Sequence, residues 1–384
     1  MEITDIRVHV LEAPDAEDVA DGSQHATVIE VETDAGITGI GSVAGAPPVV
    51  AKAIVEAPLA SSITTGLREV LLGRDPHDVE VLWNEMYERT YGYGRKGAAV
   101  ATLSGIDIAL WDIIAKAAEQ PLHAMLGGKH RDSVRAYAST LFPEDPDDVD
   151  HMRREAERAL DDGFTAIKYG WGGITEDREK DRALVETARE TLGPDVDLMI
   201  DIGMGWQNDL KRGVKQINEL DDAYDLFWVE EPVYADNIDG YARISRACSP
   251  RIVGGEREYT LYGFRDFIDR GRVDGVQPDV AIGGGITHVE KIATLAAERG
   301  IPIYPHGYST DIVIAANLHL IAANQNAPLL EYCIEDSPLR WEVVNEEFSV
   351  EDGYVTIPDE PGLGVSLNRS ALDEYATEPW TDWS

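Results

Sequence analysis

The chain has 384 residues, 43% hydrophobic and 27% charged, with two cysteines. That composition excludes long disorder, collagen and coiled coil, and the length suits two or three domains or one (β/α)₈ barrel with an added domain. Lys+Arg number 33 against 71 Asp+Glu, a formal charge of −38, so nucleic acid and anionic membrane are excluded as partners.

The acid is spread through EAPDAEDVADG, FPEDPDDVDHMRREAE and ELDDAYD, and lysine is scarce, nine against twenty-four arginines. A dispersed acidic surface of this kind points to adaptation to high salt, where counterions screen self-repulsion. No run of about 18 apolar residues predicts a membrane span, and the N-terminus lacks a secretory pattern. Cys248 and Cys333 sit in unrelated contexts, which fits a reducing cytosol.

Residues 1–45 alternate in the manner of strands, ITDIRVHVLEA and ATVIEVETDAGITGIGSVAG, joined by an acidic loop and a DAG turn. Residues 48–130 are helical in pattern. Within them, AAVATLSGIDIALWDIIAKAAEQPLHAMLGG is apolar around most of its circumference and predicts a buried helix ended by Pro121 and Gly127–Gly128. The first 130 residues therefore form an α+β domain.

From about residue 133 short apolar runs alternate with amphipathic helical stretches. The predicted strands are 134–139, 165–170, 196–201, 226–231, 251–256, 273–279, 301–306 and 328–333. Eight uninterrupted βα repeats indicate a closed parallel barrel over 131–345. GGG at 283–285 lacks the rest of a dinucleotide-binding fingerprint. Residues 346–384 read as short strands and turns returning to the first domain.

In such a barrel, chemistry belongs at the C-terminal strand ends. Lys168 lies near the end of the second strand, Asp201 ends the third, Glu230 and Glu231 the fourth, and Glu256 the fifth. Asp279 ends the sixth, His306 the seventh, and Glu331 lies in the eighth. Asp201, Glu230 and Glu256 make an oxygen-rich site suited to Mg²⁺ rather than zinc, with Glu230 favoured over Glu231 as the ligand. A carboxylate at Asp279 would fix the tautomer of His306 and raise its basicity, as a general base requires. Lys168, pointing inward, is either a base of lowered pKa or a fixed positive charge. Glu331 could be held protonated in a dry site and donate to an oxyanion.

These motifs resemble the enolase superfamily and, within it, the mandelate racemase-like subgroup. DLMID, WVEEP and GGE are similar to its metal-ligand strands, QPDVAIGGGIT and PHG to its aspartate and histidine strands. ATLSGIDIALWDIIAKAAEQPLHAMLGGK and the tail DGYVTIPDEPGLGV also resemble the subgroup. The resemblance implies a modified TIM barrel, an N-terminal capping domain completed by the C-terminal segment, and a dimer or octamer. It implies Mg²⁺ on Asp201, Glu230 and Glu256, a dyad of His306 and Asp279, Glu331 opposite, and Lys168 as the first lysine of Lys-x-Lys. The second lysine is replaced by Gly170, and a polar residue two positions after the aspartate by Gly203.

The reaction implied is proton abstraction α to a carboxylate followed by loss of the β-hydroxyl, a cytoplasmic aldonate or aldarate dehydratase giving a 2-keto-3-deoxy acid. A racemase or epimerase of a 2-hydroxy acid is the alternative, disfavoured by Gly170. A cycloisomerase ranks lower, because a His–Asp pair with Glu331 is not that subgroup's pattern. A non-catalytic sugar-acid binder is the alternative of another class. Specificity in the family comes from capping loops, here 14–25 and 89–97, with Tyr93, Arg95 and Lys96 as expected substrate contacts.

Overall fold

The computed structural model describes residues 1–14, 21–58, 61 and 64–377. Strands β1 (Ile3–Glu12), β2 (His25–Thr33) and β3 (Thr38–Val43) form an antiparallel sheet in the order β1-β2-β3. Against it packs the long helix Ala98–Ala117, whose interior positions are almost all buried. Its length and hydropathy would suffice to cross a membrane, but most of it is buried inside the fold.

The two aspartates of that helix are buried and explain its place. Asp107 accepts from the backbone N–H of Thr287 (2.9 Å) and its hydroxyl (2.6 Å). Ser104 Oγ accepts from Gly284 N at 2.8 Å, and Trp83 Nε1 donates to Gly284 O at 2.8 Å. The GGGIT segment is thus the seat on which the capping domain rests. Asp112 accepts from Ile40 N (3.0 Å) and from Leu363 N (2.9 Å), tying the C-terminal segment to the same helix.

The second sheet is parallel through β10 (Leu329–Cys333), β4 (Ser133–Leu141), β5 (Ala166–Gly170), β6 (Asp197–Asp201), β7 (Leu226–Glu230), β8 (Arg251–Gly254) and β9 (Gly275–Val276). These strands are buried on both faces, as expected of parallel strands covered by helices. The seventh strand of the repeat is not a continuous ladder. Residues 301–306 meet β9 and its extension through single bridges, Val276 with Ile303 and Asp279 with His306. Ile303 N donates to Asn326 O at 2.9 Å just ahead of β10. Two prolines, Pro302 and Pro305, remove backbone donors there, which accounts for the broken ladder.

The tail does not go straight back to the capping domain. Strand β11 (Tyr354–Thr356) first pairs antiparallel with β4 of the barrel. Only then does the chain reach the capping sheet, where Arg369 donates to Glu30 at 2.5 and 2.7 Å and Ala376 bridges to Leu11.

Candidate active site

A cavity of about 680 Å³ lies between the barrel mouth and the capping sheet. Lys168, Asp201, Glu256, Asp279 and His306 line its floor, and Asp21, His25, Thr27 and residues 43–48 its other wall.

The floor is built from adjacent strand ends. Parallel pairing sets Gly170 beside Asp201 and Asp201 beside Glu230, so the carboxylates of β6 and β7 project side by side. Asp201, Glu230 and Glu256 each offer an oxygen within 4.8 Å of the others, and all three are buried. Burial, then repulsion from Glu230 and Glu256, pushes the Asp201 carboxyl well above the usual range. Burial also raises Glu230, against the pull of Lys168. Three buried carboxylates so close together fit a hard divalent cation bound through oxygen. Glu231 is not one of the three and accepts from Gly255 N at 3.3 Å.

Lys168 is 3% exposed and holds the floor together. Its ammonium donates to Glu230 Oε1 at 2.6 Å and meets Glu331 Oε1 at 2.8 Å. Burial alone would lower its pKa, but the charges of Glu230 and Glu331 raise it well above the ordinary value. Of the two roles open from sequence, the geometry is that of a fixed positive charge.

Glu331 is fully buried and accepts from Ser139 Oγ (2.8 Å) and Gly307 N (2.9 Å). Burial works to raise it, yet the charges of Lys168 and His306 outweigh that and bring it down to about 2. The Lys168 ammonium at 2.8 Å and the two hydrogen bonds it accepts favour an ionised acceptor over the protonated donor expected from sequence.

His306 Nδ1 is 2.6 Å from Asp279 Oδ2, and Asp279 Oδ1 accepts from Ala281 N at 2.7 Å. Nε2 turns into the cavity, 3.4 Å from Glu256 Oε2 and 4.0 Å from Glu331 Oε2. Burial lowers the imidazole, but Glu256, Glu331 and Asp279 together raise it to about 10.

The two glycines have a steric reason. A Cβ at Gly170 would lie 3.1 Å from Asp201 Oδ2. Gly203 has φ +54°, and a Cβ there would lie 3.2 Å from the indole of Trp171. Trp171 itself sits at φ +53° and supports Arg257, whose guanidinium lies 4.3 Å from the ring centroid. Arg257 stands 3.2 Å from Glu256 Oε1 and 3.7 Å from Glu231 Oε2.

Sequence reasoning missed Trp171, Arg257 and Ser139. Arg257 was within reach, since it directly follows a strand-end carboxylate; nothing in the sequence marks Trp171 or Ser139. The expectation for the 89–97 loop is also corrected. Tyr93, Arg95 and Lys96 do not line the cavity. Lys96 instead donates to the buried Glu258 at 2.6 Å, Arg95 lies over the ring of Tyr91, and the Tyr93 hydroxyl donates to Thr65 O at 3.4 Å. Of the other loop, Asp21, Gly22 and His25 do line the cavity, while residues 15–20 lie outside the described residues.

A family model described as the mandelate racemase/muconate lactonizing enzyme N-terminal domain matches residues 16–127, and one described as enolase C-terminal domain-like matches 151–371. The chain belongs to the mandelate racemase-like subgroup of the enolase superfamily. Within it, the chain is 36% identical to the D-galactarolactone cycloisomerase of Agrobacterium fabrum, over 98% of this chain and 99% of that protein. It is 33% identical to the arabinonate dehydratase of Saccharolobus solfataricus, over 80% and 81%. A racemase from Streptomyces coelicolor A3(2), solved with bound magnesium, superposes with a TM-score of 0.85 at 29% identity, covering 98% of this chain and all of that one. Cycloisomerases therefore stand beside dehydratases among its relatives.

Proposed function

We propose that the chain removes the proton α to the carboxylate of a sugar acid and expels the β-hydroxyl, giving a 2-keto-3-deoxy acid. The observation that carries this reading is His306, held at Nδ1 by Asp279 with Nε2 3.4 Å from Glu256 of the three-carboxylate cluster. Asp201, Glu230 and Glu256 would hold Mg²⁺, which when bound supplies charge stabilisation to a substrate carboxylate. His306 takes the α-proton at Nε2, and Asp279 keeps the ring in the tautomer that can do so. To act as base the ring must first be neutral; the carboxylate that contributes most to keeping it charged is Glu256, one of the proposed cation ligands.

Lys168, fixed between Glu230 and Glu331, provides positive charge next to the developing enediolate. The Cα–H and Cβ–OH bonds break, the hydroxyl leaves as water with a proton from the imidazolium, and the enol becomes the ketone. Gly170 leaves no second lysine across the site, which weighs against racemisation. The test is formation of 2-keto acid from a panel of mono- and dicarboxylate sugar acids with Mg²⁺ in molar KCl, abolished by EDTA.

Cycloisomerisation of a sugar-acid lactone is a second reading, supported by a relative that matches nearly the whole chain. The same proton abstraction would open a lactone by expelling its ring oxygen instead of a hydroxyl. Product formation from lactones but from no open-chain acid would favour it.

A further inference from the structure

The three carboxylates of the cluster are not held alike. Asp201 Oδ1 accepts from Gly203 N at 2.9 Å, and Glu230 accepts from Lys168 at 2.6 Å and from Trp228 Nε1 at 3.1 Å. Among the described residues, none donates such a hydrogen bond to Glu256. Its neighbours are two basic side chains, one at each oxygen. Arg257 Nη2 is 3.2 Å from Oε1, and His306 Nε2 is 3.4 Å from Oε2.

Arg257 follows the end of β8 and reaches back across the barrel mouth. Its guanidinium lies 4.3 Å from the ring centroid of Trp171, which follows β5. Nη1 donates to Met204 Sδ at 3.6 Å, after β6, and stands 3.7 Å from Glu231 Oε2, after β7. The side chain thus meets the segment following each of four adjacent strands, and three of those strands lead into the cluster. Unlike Lys168, Arg257 is not sealed in: its side chain is 39% exposed and lines the cavity. An aromatic face holds a guanidinium without a directional bond, so Arg257 can turn from Glu256 and keep its seat on Trp171.

The position carries an electrostatic cost. A divalent cation held by Asp201, Glu230 and Glu256 would stand beside a further positive charge that cannot be shed, because a guanidinium keeps its proton. A partner that merely orients a ligand supports the metal, and its loss weakens binding about 10–100-fold. A fixed positive charge at the ligand acts in the opposite sense, since it repels the cation and occupies the carboxylate.

We infer that Arg257 is the resident counter-cation of the cluster: it holds Glu256 in place while the site is free of metal, and it competes with the divalent cation for that carboxylate. Arg257 is then a positioning residue that lowers the metal affinity of the site. The inference rests on the reading of Asp201, Glu230 and Glu256 as the cation ligands and is independent of which acid is the substrate.

The experiment uses the full-length chain in molar KCl, stripped of metal with EDTA and dialysed. Mg²⁺ binding is read by calorimetry, and melting temperatures are taken without metal and at saturating Mg²⁺. Arg257→Met and Arg257→Gln, both uncharged, should tighten Mg²⁺ binding on the order of 10-fold. Arg257→Lys, which keeps the charge, should stay closer to wild type than either. The melting temperature of Arg257→Met should fall without metal, where Glu256 loses its partner, and match or exceed wild type at saturating Mg²⁺. If a neutral variant does not fold without metal, its affinity is read by titrating the loaded protein with EDTA, with the same order expected. Mg²⁺ binding that is unchanged or weaker in both neutral variants overturns the inference, as does an equal fall in both melting temperatures. If the wild type itself binds no Mg²⁺, the reading of the cluster as a cation site fails and the inference falls with it.

Discussion

Replacing Lys168 by methionine removes the cation between two buried carboxylates while keeping the length of the side chain. The ammonium stands 2.6 Å from Glu230 and 2.8 Å from Glu331. At an effective dielectric constant of about 20, each contact represents roughly 6 kcal/mol of Coulomb attraction, offset in part by what burying the charges costs. Removing one member of a buried pair costs about 3–5 kcal/mol net, because the partner charge is left uncompensated. Metal-free Lys168→Met should therefore lose about that much unfolding free energy, read as a lower denaturant midpoint at unchanged slope. Glu331→Gln added to it should recover part of the loss, since position 331 is then neutral; its one amide oxygen can still accept from Gly307 N, and its NH₂ can donate to the Ser139 hydroxyl. Wild-type stability in the single variant would refute the claim that Lys168 is the electrostatic keystone of the floor. So would a double variant less stable than the single one.

Three further outcomes follow from the same geometry. Gly170→Lys should not create a racemase. Its Cβ would press within 3.1 Å of Asp201 Oδ2, so Mg²⁺ binding measured by calorimetry should weaken; a variant with normal metal affinity that interconverts α-epimers contradicts this. Lowering KCl from molar to about 0.1 M lengthens the screening distance from about 3 to 10 Å and exposes the −38 charge to itself. The melting temperature should fall, and a constant value across that range would count against salt adaptation. Glu30→Gln should loosen the tail from the capping sheet. Burial works to raise the Glu30 pKa, but hydrogen bonds from His9 and Arg369 bring it from 4.5 to about 2. Its contribution, about 1–3 kcal/mol given the exposed Arg369, is therefore present above pH 4.5 and lost as the pH falls toward 2. The stability gap between wild type and Glu30→Gln should close over that window; a gap independent of pH would show that the ion pair contributes nothing.

The floor of the site was legible in the sequence because strand ends are. A strand buried on both faces leaves a continuous apolar run, and the first charged residue after it, as in DLMID or LFWVEE, marks both the end of the strand and the mouth of the barrel. Charge states were not legible. Whether Glu331 is neutral depends on the distance to Lys168, two strands away around the barrel, and that distance emerges only when the barrel closes. The 89–97 loop misled for a related reason: a basic loop in an acidic chain has many carboxylates to choose from, and Lys96 finds Glu258, which is buried and invisible as a partner until the two domains are docked. The support of Arg257 by Trp171 depends on a left-handed backbone turn at a tryptophan, a conformation no residue pattern announces.

The most direct test of the proposed chemistry is α-proton exchange in D₂O with Mg²⁺ and a substrate acid, comparing wild type, His306→Asn and Lys168→Ala. With His306 as the base, His306→Asn should lose exchange on the order of 10²–10⁴-fold while still binding Mg²⁺. Exchange that persists in His306→Asn and disappears in Lys168→Ala would transfer the role of base to Lys168 and contradict the account.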